Sequence, residues 1–414
     1  MANECFAWGQ ALNGASVWLR ILKPMLSSTT ALTLVLLALF DAVLVAFRPL
    51  QYIHDLRFIP LDQHPMVSKI PVYMESNRKV DVLVLGSSLP MCAIAEYDEK
   101  MYGKPDCKDV TQLRRYLGAK YLEQQLSTKL ARPISAANLS IVACMASDMY
   151  IILSKSIEAG KRPDIAVLCI APRDFVDNLV QPIGRTPPFE VLQDWKSLGD
   201  VLRRDMSAAE TRDLLISAAW YYYRVKVDYR TVLTQYFSNL VSHPASLYYS
   251  IHGSNPGGKA ASVAKKESEF RQTAEVKICS VGSIDKVEVD KLPAQPVDMD
   301  NSKGDRYRPP NFKRFALEID FFRKLLALCK KKNIECVVVN MPMSVAHRSI
   351  LDKRLDRQYL TETQNACFTY GAHYFDFNDQ QFVDSDFNDG FHVNTSGAEK
   401  VMKRMVASYE GLPK

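Results

Sequence analysis

The chain has no cysteine pattern of its own. Its nine cysteines are odd in number and irregularly spaced, without a CxxC pair, so a disulfide scaffold is not written into it. Cys144 and Cys169 fall in apolar runs and read as core residues, whereas Cys329 and Cys336 flank a helix-to-strand junction and read as either free or paired. No HExxH, no phosphate loop and no cysteine-histidine zinc spacing occurs, which predicts neither a metal nor a nucleotide cofactor. Charge of one sign is also scarce. The 52 basic and 46 acidic residues leave a net +6 and are interspersed, which argues against a nucleic-acid partner. There is no internal repeat.

What is present begins with one long apolar run. Ala31 to Phe47, ALTLVLLALFDAVLVAF, contains a single charge at Asp41, and extension back through Pro24-Met25-Leu26 gives roughly the twenty residues of a bilayer-spanning helix. The run lies too far from the start for a cleaved signal and no small-x-small site follows it, so an uncleaved signal anchor is expected over 24–47, after an N-terminal tail over 1–23. Arg20 and Lys23 before the span and Arg48 and Arg57 after it hardly decide its orientation. A short tail before a large C-terminal domain points to an extracytoplasmic domain, periplasmic or at the cell surface. Asp41, costly inside a bilayer, reads either as a contact to another membrane protein's helix or as a protonated or locally hydrated group.

The 414 residues exceed one ordinary compact core but suit one α/β domain with an insertion and an anchor. Residues 48–79 read as a polar connector. Strands are predicted at about 80–86, 133–140, 164–170, 334–340 and 374–377, and helices at about 112–130, 145–159, 312–332, 351–370 and 396–409. Near-continuous apolar strands such as Asp164 to Ile170 alternating with helices predict a doubly wound, mainly parallel, flavodoxin-like α/β sheet built from 80–178 and 312–414. Residues 179–311 break the pattern and read as a helical insertion. Ser207-Ala-Ala-Glu210 opens a long helix through Trp220 and Tyr221–Tyr223 toward Leu240, and 253–310 reads as a flexible loop.

Two short motifs carry the chemistry. The first strand ends in Gly86-Ser87-Ser88, and Asp389-Gly390-Phe391-His392 stands before the last helix. A serine at a strand exit, a histidine and an acid three residues before it are the nucleophile, base and orienter of acyl transfer. Either motif alone has a plain structural reading as a loop or cap; their placement, one at a strand exit at the domain's beginning and the other in a loop entering its final helix, gives them weight.

In these motifs and their order the chain resembles the SGNH or GDSL hydrolase superfamily, over 80–178 and 312–410. The resemblance implies that Ser88 is the nucleophile, with His392 and Asp389 as catalytic partners. The Gly-Ser-Ser form, the anchor and the insertion resemble the exported acyl-transfer branch, such as proteins of teichoic-acid D-alanylation and alginate O-acetylation. In the second family block Ala143 stands where a glycine is expected, and in the third Arg173 of Ala171-Pro-Arg-Asp174 stands at the oxyanion asparagine. Ala143 and Arg173 are therefore the oxyanion candidates, Arg173 being equally readable as an ion pair with Asp174 or Asp177. His347 reads as a substrate contact or, more plainly, a surface histidine, and Trp220–Tyr223 as a glycan groove, a membrane contact or a packed helix. The resemblance implies a membrane-anchored serine esterase or O-acyltransferase acting on an ester of a cell-surface polysaccharide or a lipid. The alternative is a catalytically silent SGNH-fold scaffold or glycan-binding subunit of a cell-envelope complex.

Overall fold

The computed structural model describes residues 29–47, 67, 69–180, 183–202, 208–223, 233 and 306–409. The expected tail, the start of the span at 24–28, most of the connector and the expected flexible loop up to residue 305 lie outside them. The chain divides into two compact units, Met1–Leu56 with Leu215–His252, and Arg57–Leu214 with Gly253–Lys414.

The larger unit is an α/β fold. In chain order it contains α2 (Lys69–Glu75), β1 (Val82–Gly86), α3 (Ser88–Tyr102), α4 (Val110–Arg115), α5 (Lys120–Leu130), β2 (Ala136–Asn138), α6 (Ala146–Glu158), β3 (Ile165–Ile170), α7 (Arg173–Val176), α8 (Pro187–Leu192) and α9 (Trp195–Val201). After α10 (Ala208–Ala219) come α11 (Phe312–Lys331), β4 (Glu335–Asn340), α12 (Val345–Ser349), α13 (Lys353–Tyr370), β5 (His373–Asp376) and α14 (Thr395–Ala407). The five strands are all parallel and ordered β2-β1-β3-β4-β5. This is the flavodoxin-like order, whose ligand-binding crevice opens between β1 and β3 at the carboxyl ends of the strands.

The apolar runs VLVLG and IAVLCI, and CVVV between Glu335 and Asn340, become strands because helices cover both of their faces. One layer joins α3, α5 and α14, the other α6, α11 and α13. In the second layer Phe175 contacts Phe315, Phe322 and Tyr359. All cysteines among the described residues are free, Cys329 and Cys336 included, and Cys144 and Cys169 lie in the core.

The fold departs from expectation where a distant side chain captures the backbone. The helix expected over 112–130 is two helices, because Asp98 accepts the N–H groups of Lys120 and Tyr121 at 2.8 and 2.9 Å and the Tyr116 hydroxyl at 2.7 Å. That carboxylate starts α5 afresh. α3 was not expected at all, and within the expected connector α2 places Ile70 and Tyr73 in the core. Residues 306–310, expected as loop, are also packed: Tyr307 is buried, and Arg306 Nη1 pairs with Asp177 Oδ2 at 2.6 Å.

In the smaller unit α1 (Thr29–Phe47) is apolar around its circumference and exposes Leu32, Leu36, Leu39, Phe40, Val43 and Phe47. Among the described residues no helix is long and apolar enough to cross a membrane. At 1.5 Å per residue α1 reaches about 28 Å, just short of the roughly 30 Å of a hydrocarbon core. Asp41 accepts the N–H groups of Tyr221 and Tyr222, at 3.1 and 2.6 Å, so its carboxylate has partners within its own chain. The helix expected to run unbroken to Leu240 is interrupted at Trp220 for that reason; its continuation beyond Tyr223 lies outside the described residues, Leu233 excepted.

Candidate active site

The carboxyl edge of the sheet is shaped first by Gly86. A Cβ there would lie 2.6 Å from Pro90 Cγ and 2.7 Å from the Cys169 carbonyl oxygen, so only glycine lets β1 turn directly into α3. Ser87 is extended, and Ser88 becomes the first residue of α3, its side chain buried at the switch point between β1 and β3.

Ser88 Oγ lies 2.8 Å from His392 Nε2, and His392 Nδ1 lies 2.7 Å from Asp389 Oδ2. The sequence places these residues 304 positions apart; the packing of α14 on α3 brings them together. Asp389 Oδ1 accepts the backbone N–H groups of Phe391 and His392 at 3.0 and 2.8 Å, closing a tight turn in which Gly390 has φ +85°. Burial disfavours the charged Asp389 carboxylate, but the His392 ring and these two N–H groups outweigh it and hold its pKa well below the usual carboxylate range.

Arg173 reaches the same hydroxyl from the start of α7, just after β3, its Nη2 donating to Ser88 Oγ at 2.7 Å. The ion-pair reading holds for Asp174, whose Oδ1 lies 3.6 Å from Arg173 Nε, while Asp177 is engaged by Arg306. Arginine carries donors only, so Ser88 Oγ accepts from it and turns its own proton toward His392 Nε2. The network thereby assigns the imidazole proton to Nδ1, facing Asp389, which is the tautomer a general base needs. Asp174 is buried, and burial raises its pKa to about 7 against the pull of the Arg173 guanidinium.

Ala143 adopts φ +56°, the left-handed conformation natural to the expected glycine. Its loop is tied to β1, with Ile141 N–H donating to the Gly86 carbonyl at 3.0 Å. Among the described residues no partner is recorded for the Ala143 N–H.

His347 differs from its plainer reading. It is not a surface residue but is 2% exposed, its Nε2 2.9 Å from the Tyr307 hydroxyl and its ring centroid 3.4 Å from that of Phe391. The far face of the site thus includes Tyr307 and Phe391, which sequence reasoning did not single out. Phe391 stands inside the Asp389–His392 motif and could have been asked about; nothing marks Tyr307 except its neighbour Arg306, complementary in charge to Asp177. Among the described residues no cluster of His, Cys, Asp or Glu is arranged to hold a metal ion. No model of a known protein family and no curated protein matches the chain.

Proposed function

We propose that the chain is a serine esterase or O-acyltransferase of the SGNH type, held at a membrane and acting on an ester of a cell-surface polysaccharide. The observation that carries this reading is the continuous series Arg173, Ser88, His392, Asp389, in which every hydrogen bond is 2.7 or 2.8 Å.

In this reading Ser88 Oγ attacks the ester carbonyl and its proton passes to His392 Nε2, while Asp389 stabilises the imidazolium. The carbonyl electron pair moves onto oxygen, and as it collapses back the alcohol leaves with the proton from His392. The resulting acyl-Ser88 is attacked by water or a sugar hydroxyl, whose proton again goes to His392, and Ser88 is regenerated. Arg173, which donates to Ser88 Oγ, is in this reading the charged donor to the tetrahedral oxygen, and the Ser88 and Ala143 N–H groups would be its backbone partners. The anchor is supported by the apolar, exposed circumference of α1 and the resemblance of the whole arrangement to exported acyltransferases. Full-length protein then stays with membranes through an alkaline carbonate wash, and release by the wash would remove the anchor from the proposal.

A catalytically silent scaffold is the second reading, favoured by Arg173 and Ala143 standing where the family has asparagine and glycine. A fluorophosphonate probe separates the two. Covalent labelling of the wild-type protein, abolished in Ser88→Ala, is expected of the enzyme; a folded wild-type protein that stays unlabelled is the scaffold.

A further inference from the structure

A second layer of polar and aromatic groups lies behind the hydrogen-bonded series and takes no part in proton transfer. Phe391, the residue before His392, is buried between two cations or potential cations. The Arg173 guanidinium carbon lies 5.3 Å from its ring centroid, and the His347 ring packs on it. His347 is in turn held by Tyr307, whose hydroxyl meets its Nε2 at 2.9 Å and whose ring lies edge-on to it with centroids 5.4 Å apart. Burial pushes the Tyr307 phenol well above its ordinary range, with Arg173, Asp177, Asp174 and Arg306 the nearest charges, so the phenol keeps its proton. The backbone repeats the connection, Ser344 N–H donating to the Gly390 carbonyl at 3.3 Å. A Cβ on Gly390 would come within 3.2 Å of Ser344 Oγ and 3.9 Å of the His347 Cβ.

We propose that Tyr307 and His347 are positioning residues of the Ser88 site: through Phe391 they fix both the Arg173 guanidinium over the nucleophile and the turn that presents His392. The inference rests on the esterase reading for its kinetic consequence but not for its geometry. Phe391 is the one ring that touches Arg173 on one side and precedes the base on the other, so a rotation there disturbs donor and base together. A sub-ångström error at either group is costly, because proton transfer and charge stabilisation both depend on near-ideal hydrogen-bond distances.

The mechanism also assigns a task to the expected insertion. Tyr307 arrives on the strand of chain that returns from it, and that return is fastened beside the site. Arg306 pairs with Asp177, Asn178 N–H donates to the Arg306 carbonyl at 3.0 Å, and Asn178 Nδ2 donates to the Pro309 carbonyl at 3.0 Å. The same segment that closes the insertion therefore supplies the hydroxyl that orients His347.

The test compares full-length wild type with Tyr307→Phe, His347→Gln and the double variant, each first checked for an unchanged unfolding midpoint. Two readouts are taken: the rate of covalent labelling by the fluorophosphonate, and the histidine ring signals in nitrogen-15 magnetic resonance, with His392 assigned through His392→Gln. Tyr307→Phe is expected to slow labelling about tenfold or more and to displace the His392 ring signals. The double variant should lose no more than the worse single variant, as residues acting through one contact do. Wild-type labelling rates together with an undisplaced His392 signal in Tyr307→Phe overturn the proposal. If the wild-type protein is itself never labelled, the esterase reading fails, and the resonance readout alone still decides: a displaced His392 signal supports the positioning role, an undisplaced one overturns it.

Discussion

Arg173 touches the nucleophile with one nitrogen and a buried carboxylate with another, and this division of labour predicts how the site fails without it. Arg173→Ala should lower the rate of Ser88 acylation by roughly a hundredfold or more, the scale of a lost oxyanion donor. The fold should survive, because Asp174, whose pKa burial raises to about 7, can take up a proton once its partner is gone. Arg173→Lys should restore little, since an ammonium cannot hold Ser88 and Asp174 with separate, fixed nitrogens. Labelling rates set beside thermal unfolding midpoints check both statements; normal labelling by a folded Arg173→Ala protein would return the oxyanion role to backbone amides. At this scale much was legible. Ser88 could be read because its motif ends the first strand, Asp389 and His392 because theirs stands before the last described helix, and Arg173 because it follows the exit of β3. The pairing of His347 with Tyr307 could not, because a 40-residue separation conceals a contact that only the folded chain makes.

Among the elements, strands were easier to read than helices. Val82–Gly86, Ile165–Ile170 and Cys336–Val339 are apolar without interruption, a pattern that burial on both faces imposes. Helix boundaries depended instead on carboxylates far away in sequence, Asp98 starting α5 from 22 residues upstream and Asp41 taking the Tyr221 and Tyr222 amides from 180 residues upstream. Periodicity sees neither. The first case gives a quantitative expectation: Asp98→Ala removes a helix cap and leaves the Tyr116 hydroxyl without its acceptor, which together cost about 3 kcal/mol. Urea unfolding should show that loss, with Asp98→Asn retaining part of it because an amide oxygen still accepts. A change below about 0.5 kcal/mol would mean that α4 and α5 are separated by something other than this carboxylate.

Across the whole molecule, the buried ionisable groups predict an unusual pH profile of stability. Burial raises the pKa of Asp148 to about 6 and those of Asp174 and Glu318 to about 7, so the native state binds more protons than the unfolded chain between about pH 4 and 7. Their contribution is present in full at the acid end of that window and is lost as pH rises through it. Lys69 runs the other way. Burial lowers its pKa from 10.5 to about 7 against the Cys144 and Cys92 sulfurs, so stability is depressed below pH 7 and recovers above it, where the native lysine has lost its proton while the unfolded chain's lysine still holds one. Buried thiols such as Cys92, raised from 9.0 to about 12, oppose that recovery above about pH 9. The unfolding midpoint should therefore fall from about pH 5 to pH 7 and rise again toward pH 9, and Lys69→Met should abolish the rise. Persistence of the same rise in Lys69→Met would assign it to other groups. None of this was legible in advance, because the residues of α2 were read as part of a polar connector.

The packing of the helix that follows His392 on the helix that begins at Ser88 also has a consequence in time. Lys100 Nζ and Glu399 Oε2 join the two helices at 2.6 Å, and the residues that must meet are 304 apart. At about 5–20 residues per second, a ribosome takes roughly 15–60 s to add the base after the nucleophile. During that interval Ser88 is an ordinary alcohol, whatever esters surround the nascent chain. On the proposed reading, activity is thus withheld until α14 has been made and packed on α3.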